Sequence, residues 1–314
     1  MRFVFLMDPL DGVLYHKDTS FIFMLGAADR GHETWYLPAD GLSLGQNGPI
    51  LHATRVTPQR NPDAPFVIHE ARDLIDSEVD AVFIRTDPPF DARYLMHTWI
   101  LDQLSAPVMN SPTGIRSVNE KVWALRFPQL QPPTVVTARA DLFRGFLAEH
   151  KRIIAKPTDG FGGAGVFRVS EGDSNAGVIF ETLTDNGQRE IILQGYVPAA
   201  EIGDKRILLL NGEPLGAVLR VHGEGDHRNN FFAGGSAHAT EITVRDREIC
   251  STLAPHLREL GLHFVGIDVI GDCLIEVNVT SPTCLQEMNR LYDLQLQDQV
   301  IAYVEELVVF AGAS

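Results

Sequence analysis

The chain has 314 residues, with 26 Lys and Arg against 41 Asp and Glu for a net charge of −15, 45% apolar residues and three cysteines. At about 100–200 residues per domain it is long enough for about two domains, with cores that need no disulfide staple. Its acidic excess repels phosphate backbones and anionic lipid, which argues against nucleic acid or a membrane surface as the main partner. Cys250, Cys273 and Cys284 are odd in number and widely spaced, so neither a disulfide framework nor a structural zinc site is indicated, and a reducing, cytoplasmic setting fits. The opening MRFVFLMDP is too short for a signal-peptide apolar region, and no stretch approaches the about 18 apolar residues of a membrane span.

In chain order, RFVFLM (2–7), TWYL (34–37) and AVFI (81–84) are apolar runs of strand length, while Ser20 to Arg30 and Asp91 to Leu104 carry apolar residues at helical spacing. Strands separated by helices predict a mostly parallel α/β sheet. Ser117 followed by Glu120 is an S-x-x-E pattern that predicts a helix opening through Lys121, Trp123 and Leu125. The domain boundary is expected here, giving an α/β domain over 1–118 and an α+β region over 119–314. In that region RIIAK (152–156) and VFRV (166–169) flank a glycine loop, and KRILLL (205–210) and PLGAVLRV (214–221) flank Asn211-Gly212, a hairpin signal. Cys250, Leu253, Leu257 and Leu260 then step along an amphipathic helix that feeds the strands FVGIDVI and LIEVNV.

The glycine loop runs Asp159, Gly160, Phe161, Gly162, Gly163, Ala164, Gly165. Its glycines satisfy G-x-G-x-x-G, but a dinucleotide fingerprint requires a helix next, and VFRVS reads as a strand. Val166 and Phe167 stand where a P-loop needs Lys and Ser or Thr. What remains is a hairpin whose backbone can close over a polyphosphate, with Lys156 placed to add charge. The ordinary alternative is a flexible hairpin beside a solvated lysine.

Asp268, Glu276 and Asn278 are polar residues inside otherwise apolar strands. Glu276 and Asn278, two apart, share a face. Asp268 joins them if a three-residue Gly271-Asp272-Cys273 loop, or an equivalent bulge, pairs it with Glu276; a plain two-residue turn would oppose the carboxylates. The odd-numbered loop or its equivalent is the expectation. Such hard oxygen ligands suit Mg²⁺ that completes its shell with water and substrate phosphates. An exposed strand face is the alternative, weakened by the apolar residues on both sides.

Positive charge stands at Arg85, which ends a strand at the ligand-binding edge of an open α/β sheet, at Arg206 and Arg220 within apolar strands, and at Arg228. Arg228 belongs to HGEGDHRNNFFAGGS (222–236), which reads as a mobile lid able to exclude water. His222, His227 and His238 match no metal spacing.

Lys121, AKPTDGFGGAGVFRV, LQGYVP, GDKRILLLNGEP, FVGIDVIGDCLIEVNVTSPTC and FIRTDPPFD together resemble the ATP-grasp superfamily, and within it the bacterial glutathione synthetases. The likeness runs from MDPLDGVLYHKDTSF to SPTC and is thin over 38–76 and after 290. It implies a pre-ATP-grasp domain followed by two α+β subdomains, 119–200 and 201–314, with ATP between them. By the resemblance, Lys121 and Lys156 meet the phosphates under Gly160, Phe161, Gly162, Gly163, Ala164 and Gly165. Gln194, Gly195, Tyr196 and Val197 form an adenine hinge, and Asp204 is a candidate for the ribose. Asp268, Glu276 and Asn278 hold magnesium, or manganese in its place. Lys17, Asp18, Thr19, Ser20 and Arg85 are implied to hold γ-glutamylcysteine, with Arg206, Arg220, Arg228 and Asn230 around its reacting carboxylate. Ser281, Pro282 and Thr283 are implied to recognise glycine. The lid differs from the family in its middle.

The reaction so implied moves the γ-phosphate of ATP onto a carboxylate, after which the glycine amine displaces phosphate from the acyl phosphate. It requires no enzyme nucleophile, so the cysteines are expected to be dispensable. A homotetramer is implied by the likeness alone. A ligase with another acceptor amine and a non-catalytic ATP sensor are the rival readings.

Overall fold

A computed structural model describes residues 1–222 and 235–312. The first sheet grows around β1 (Arg2–Leu6), which is followed by α1 (Thr19–Asp29), β2 (Glu33–Leu37), β3 (Leu42–Gly45), β4 (Gly48–Pro58), β5 (Phe66–Ile75), β6 (Ala81–Ile84), α2 (Ala92–Leu101), β7 (Val108–Met109) and α3 (Pro112–Ser117). Its order is β3-β4-β2-β1-β6-β7, with β5 on β4. β2, β1, β6 and β7 are parallel, as the strand and helix alternation predicts. The meander β3-β4-β5 adds an antiparallel wing. Asp18 starts α1 by accepting the Phe21 N–H at 2.7 Å, and Asp91 starts α2 through the Tyr94 N–H at 2.8 Å.

The chain then forms β8 (Thr134–Thr137), α4 (Ala140–His150), β9 (Arg152–Pro157), β10 (Phe167–Ser170), α5 (Ala176–Leu183) and β11 (Ile191–Gly195). These strands make an antiparallel sheet, β10-β9-β11-β8, whose apolar face packs Ile153, Ala155 and Leu193 against Phe143 and Phe180 of the two helices. The third sheet, β14-β13-β12-β15-β16, uses β12 (Asp204–Leu210), β13 (Glu213–Val221), β14 (Ser236–His238), β15 (Phe264–Ile270) and β16 (Cys273–Asn278). Asn211 and Gly212 make the tight β12-β13 turn with φ of 50° and 81°, the left-handed pair such a turn requires. α6 (Val244–Glu259), α7 (Leu285–Tyr292) and α8 (Leu296–Gly312) complete the chain.

The first and third sheets share two apolar clusters. Val4 and Leu6 lie in one with Ile207, Leu209 and Leu253, while Phe3 and Phe5 lie in the other with Leu208, Met288 and Val300. β1 and β12 thus bury both faces, alternating residue by residue. Among the described residues no helix is long and apolar enough to cross a membrane.

The helix expected after Ser117 does not form. Ser117 ends α3, and its hydroxyl donates back to the Thr113 carbonyl at 2.8 Å. Asn119 instead caps the next turn, accepting the Lys121 and Val122 N–H groups at 3.0 and 2.9 Å, and Trp123–Arg126 is a short 3₁₀ turn. The Glu120 side chain, which a capping box would turn back on Ser117, reaches Val279 and Thr280.

Candidate active site

A cavity of about 790 Å³ opens between the second and third sheets. Its apolar walls come from Ile154 and Val166 on one side and Ile270 and Ile275 on the other, a slot suited to a flat ring. Gln194, Gly195, Tyr196 and Val197 line it where the chain crosses between sheets. The Gly195 and Tyr196 N–H groups are spent on the Pro133 and Arg152 carbonyls at 2.8 and 3.1 Å. Val197 keeps the segment's open N–H among the described residues.

Gly160, Phe161, Gly162, Gly163 and Ala164 line the same cavity, while Gly165 stands just outside its lining. Gly162 and Gly163 turn with φ of 60° and 76°, and a Cβ on Gly160 would meet Pro157 Cγ at 2.6 Å. The loop therefore needs its glycines to fold over the cavity. Lys121 fastens it, giving one hydrogen bond to the Gly160 carbonyl at 2.5 Å and one ion pair to Glu276 Oε1 at 2.8 Å. Burial alone would lower the Lys121 pKa, but Glu276, with Glu120 and Asp268 beyond it, holds it above the usual lysine value. Lys156 is 5% exposed, and its ammonium has no hydrogen bond or ion pair among the described residues. Burial pushes its pKa down, Glu276 opposes this, and Lys121 adds to it. A buried ammonium without a close counter-charge is set to receive an anion.

Opposite stands the acidic hairpin. The turn is the two-residue Gly271-Asp272, with Ile270 paired to Cys273, yet a bulge past Val269 restores the pairing of Asp268 with Glu276. The expected juxtaposition is thus reached by the bulge rather than by a three-residue loop. Arg206 grips Asp268 through two bonds of 2.6 and 3.0 Å, and Arg220 joins the same carboxylate at 3.0 Å while pairing with Asp204. Burial works to neutralise Asp268, but these guanidiniums overrule it and hold its carboxyl far below the usual range. Asp204, expected at the ribose, spends its carboxylate on Arg220 although it lines the cavity. Asn278 donates to the Gly266 carbonyl at 3.1 Å and to Asp268 at 3.3 Å, which leaves its amide oxygen unengaged among the described residues. Two charged carboxylates and that oxygen fit a hard cation. Among the described residues no group of three or more His, Cys, Asp or Glu is placed to hold a metal ion.

At the far end, Lys17, Ser281, Pro282 and Thr283 line the cavity. Asp18, Thr19, Ser20 and Arg85 do not. Arg85 lies buried behind them, donating to Ser20 Oγ at 3.1 Å and to the Pro282 carbonyl at 2.9 Å, over the rings of Phe23 and Phe264. Asp18 caps α1, and its carbonyl accepts the Gln286 amide at 2.6 Å. Arg85, braced by Ser20, positions the 281–283 segment through the Pro282 carbonyl and the Ser281 hydroxyl. Arg228, Asn230 and the middle of the lid, with His227, lie outside the described residues; His222 lines the cavity.

Four charged lining residues, Glu120, Asp87, Arg168 and Glu201, were not among the expected site residues. Glu120 accepts the Val279 and Thr280 N–H groups at 2.8 and 3.1 Å and the Thr280 hydroxyl at 2.9 Å, locking the turn that follows β16. Its place beside Lys121 was the available signal. Asp87 lines the cavity from the end of β6, and Arg168 stands over the Tyr196 ring at 5.9 Å.

Fold and site together define an ATP-grasp protein, a class in which nucleotide lies between two α+β sheets. Solved structures of the fold align over nearly the whole chain: the ATP-grasp ligase PsnB with a minimal precursor (TM-score 0.65, 18% identity, 96% of this chain and 98% of that one) and D-cycloserine synthetase DcsG (TM-score 0.66, 16% identity, 98% and 99%). Sequence relatives named glutathione synthetase are far nearer. That of Vibrio parahaemolyticus is 41% identical over 307 residues, covering 96% of this chain and 97% of its own. That of Nostoc is 42% identical over 318 residues, covering 98% of each. Residues 1–116 match the prokaryotic glutathione synthetase N-terminal domain and residues 120–293 its ATP-grasp domain. The chain belongs to the prokaryotic glutathione synthetase family.

Proposed function

We infer that the cavity performs the ATP-dependent joining of γ-glutamylcysteine to glycine, releasing ADP and phosphate. The observation that carries the reading is the facing of two lysines and a glycine loop against Asp268, Glu276 and Asn278 across one cavity, in a chain of this family. A carboxylate is a poor acyl donor because its charge repels nucleophiles. Transfer of the γ-phosphoryl group onto it makes an acyl phosphate, whose phosphate then leaves as the glycine nitrogen bonds to carbon. Lys121 and Lys156 neutralise the phosphates in place, and the loop over them excludes water. Arg206 and Arg220 lie beside Asp268 where the reacting carboxylate would sit, and Lys17 with the Ser281–Thr283 segment forms the peptide and amino-acid end. Arg85 and the Asp18–Ser20 turn support that end from behind. Asp268, Glu276 and Asn278 would hold Mg²⁺, or Mn²⁺ in its place, which supplies charge neutralisation for the phosphoryl oxygens.

No thiol takes part in this scheme. Cys284 is buried with its pKa pushed up by burial, the reverse of an activated nucleophile. Membership of the family also supports a cytoplasmic homo-oligomer, which light scattering on the purified protein checks. The reading is tested by incubating the protein with γ-glutamylcysteine, glycine, ATP and Mg²⁺ and following ADP and glutathione together. Absence of both, or ADP release that does not depend on glycine, overturns it.

A further inference from the structure

Six carboxylates line the cavity, those of Asp87, Glu120, Glu201, Asp204, Asp268 and Glu276. Five are committed. Asp204 and Asp268 neutralise Arg220 and Arg206, and Glu276 neutralises Lys121. Glu120 receives the turn after β16, and Glu201 accepts the Tyr196 hydroxyl at 3.0 Å. Asp87 differs, because neither an ion pair nor a hydrogen bond of normal geometry engages its carboxylate among the described residues.

Its position is built rather than accidental. Asp87 leaves the C-terminal edge of β6, and its N–H is fixed by Asp8 Oδ2 at 2.8 Å. Its carboxylate lies near the Ser281 hydroxyl, which itself donates to the Arg85 carbonyl at 3.2 Å. Burial pushes the Asp87 pKa up, the Ser281 hydroxyl and Arg85 oppose this, and the like charges of Asp8 and Asp18 add to it.

We propose that Asp87, beside Ser281, receives the ammonium of the incoming glycine and so sets the acceptor amine beside the acyl carbon. The proposal rests on the ligase reading above. The rest of the cavity is stocked with cations, from Lys17 to Arg220, for phosphates and carboxylates; an arriving ammonium needs an uncommitted carboxylate, and the lining offers one. Both substrates carry an ammonium, but the donor's stands at the far end of its γ-glutamyl arm from the reacting carboxyl. The acceptor's must reach that carbon. Ser281 follows Asn278 by three residues, which keeps it within about 11 Å of the metal-binding strand. Asp87 therefore serves the near ammonium. Its role is binding, with no bond made or broken at its carboxylate.

The experiment compares wild type with Asp87→Asn, which keeps shape and removes charge. The expected result is a rise in the glycine KM on the order of 10- to 100-fold, the loss of one charge-assisted hydrogen bond, with the γ-glutamylcysteine KM held within about twofold. Hydroxylamine, largely neutral at pH 7 and needing no ammonium site, should trap the acyl phosphate as hydroxamate as fast in the variant as in wild type. An unchanged glycine KM overturns the proposal, as does a rise in the donor KM instead, or an equal loss of hydroxamate formation. Failure of wild type to form hydroxamate or glutathione would strike the ligase reading itself, a separate outcome. Should the variant fold poorly by circular dichroism, Ser281→Ala provides the second test, with a smaller rise in the glycine KM alone expected; no rise overturns the proposal.

Discussion

Replacing Lys156 by Met should pull stability and nucleotide affinity in opposite directions. The ammonium is buried at 5% exposure without a hydrogen bond or ion pair among the described residues, and the partial compensation from Glu276 and Asp268 leaves its pKa below the usual lysine value. Removing an uncompensated buried charge while keeping an apolar stem of similar length stabilises by about 1–3 kcal/mol. At about 2–4 °C per kcal/mol for a chain of this size, Lys156→Met without nucleotide should melt several degrees higher by scanning calorimetry. ATP affinity by titration calorimetry should fall on the order of 10- to 100-fold, the worth of one charge-assisted phosphate contact. The pH dependence follows from the depressed pKa. Between it and the unfolded value of 10.5, the unfolded chain holds the extra proton, so wild-type stability rises with pH and the variant's advantage shrinks as 10.5 is approached. Bound ATP pairs the ammonium and should flatten that difference. A lower melting temperature for Lys156→Met, or unchanged ATP affinity, would refute the reasoning.

Asp268→Asn should leave Arg206 and Arg220 short of a buried counter-charge and cost about 3–5 kcal/mol by denaturant unfolding, with turnover lost as well. Glu276→Gln should abolish ADP release while circular dichroism shows the wild-type fold, and chelation by EDTA should stop wild-type turnover until Mg²⁺ or Mn²⁺ is restored. Arg30 and His32 hold the Glu305 carboxyl down at about 2, tying α8 to the connection between α1 and β2. Glu305→Gln should therefore cost about 0.5–1 kcal/mol at neutral pH, a deficit that disappears as pH falls from 4.5 through about 2, because both chains then lack the charge. Asn110→Ala should destabilise by about 2–4 kcal/mol, since its buried amide serves Phe264 through both N–H and carbonyl and also the Val279 carbonyl.

What could be read beforehand was whatever a local pattern specifies. Asn211-Gly212 demanded a two-residue hairpin, the alternation of apolar and polar residues exposed Glu276 and Asn278, and the glycine-rich run marked the loop. The β3-β4-β5 wing was illegible because nearly every β5 side chain is exposed, so no alternation of apolar and polar residues survives to be seen. Glu120 was misread because a capping box and a tertiary clamp use the same residue types. Only Val279 and Thr280, some 160 positions away, decide between them. Asp268 met Glu276 by way of a bulge, which is a property of the strand pair rather than of either strand. Arg85 carried the marks of a ligand contact, and two of its N–H groups are spent inside the protein on Ser20 and the Pro282 carbonyl, partners that no local pattern announces.

The quartet of Asp204, Arg206, Arg220 and Asp268 sums to zero charge within one buried patch. Any single replacement there strands a unit of charge out of water, so the patch is a barrier to stepwise divergence: a descendant that reshapes the reacting end must exchange an Asp and an Arg together, or pass through a poorly folding intermediate. Design of altered donor specificity meets the same restriction and has to begin from paired substitutions.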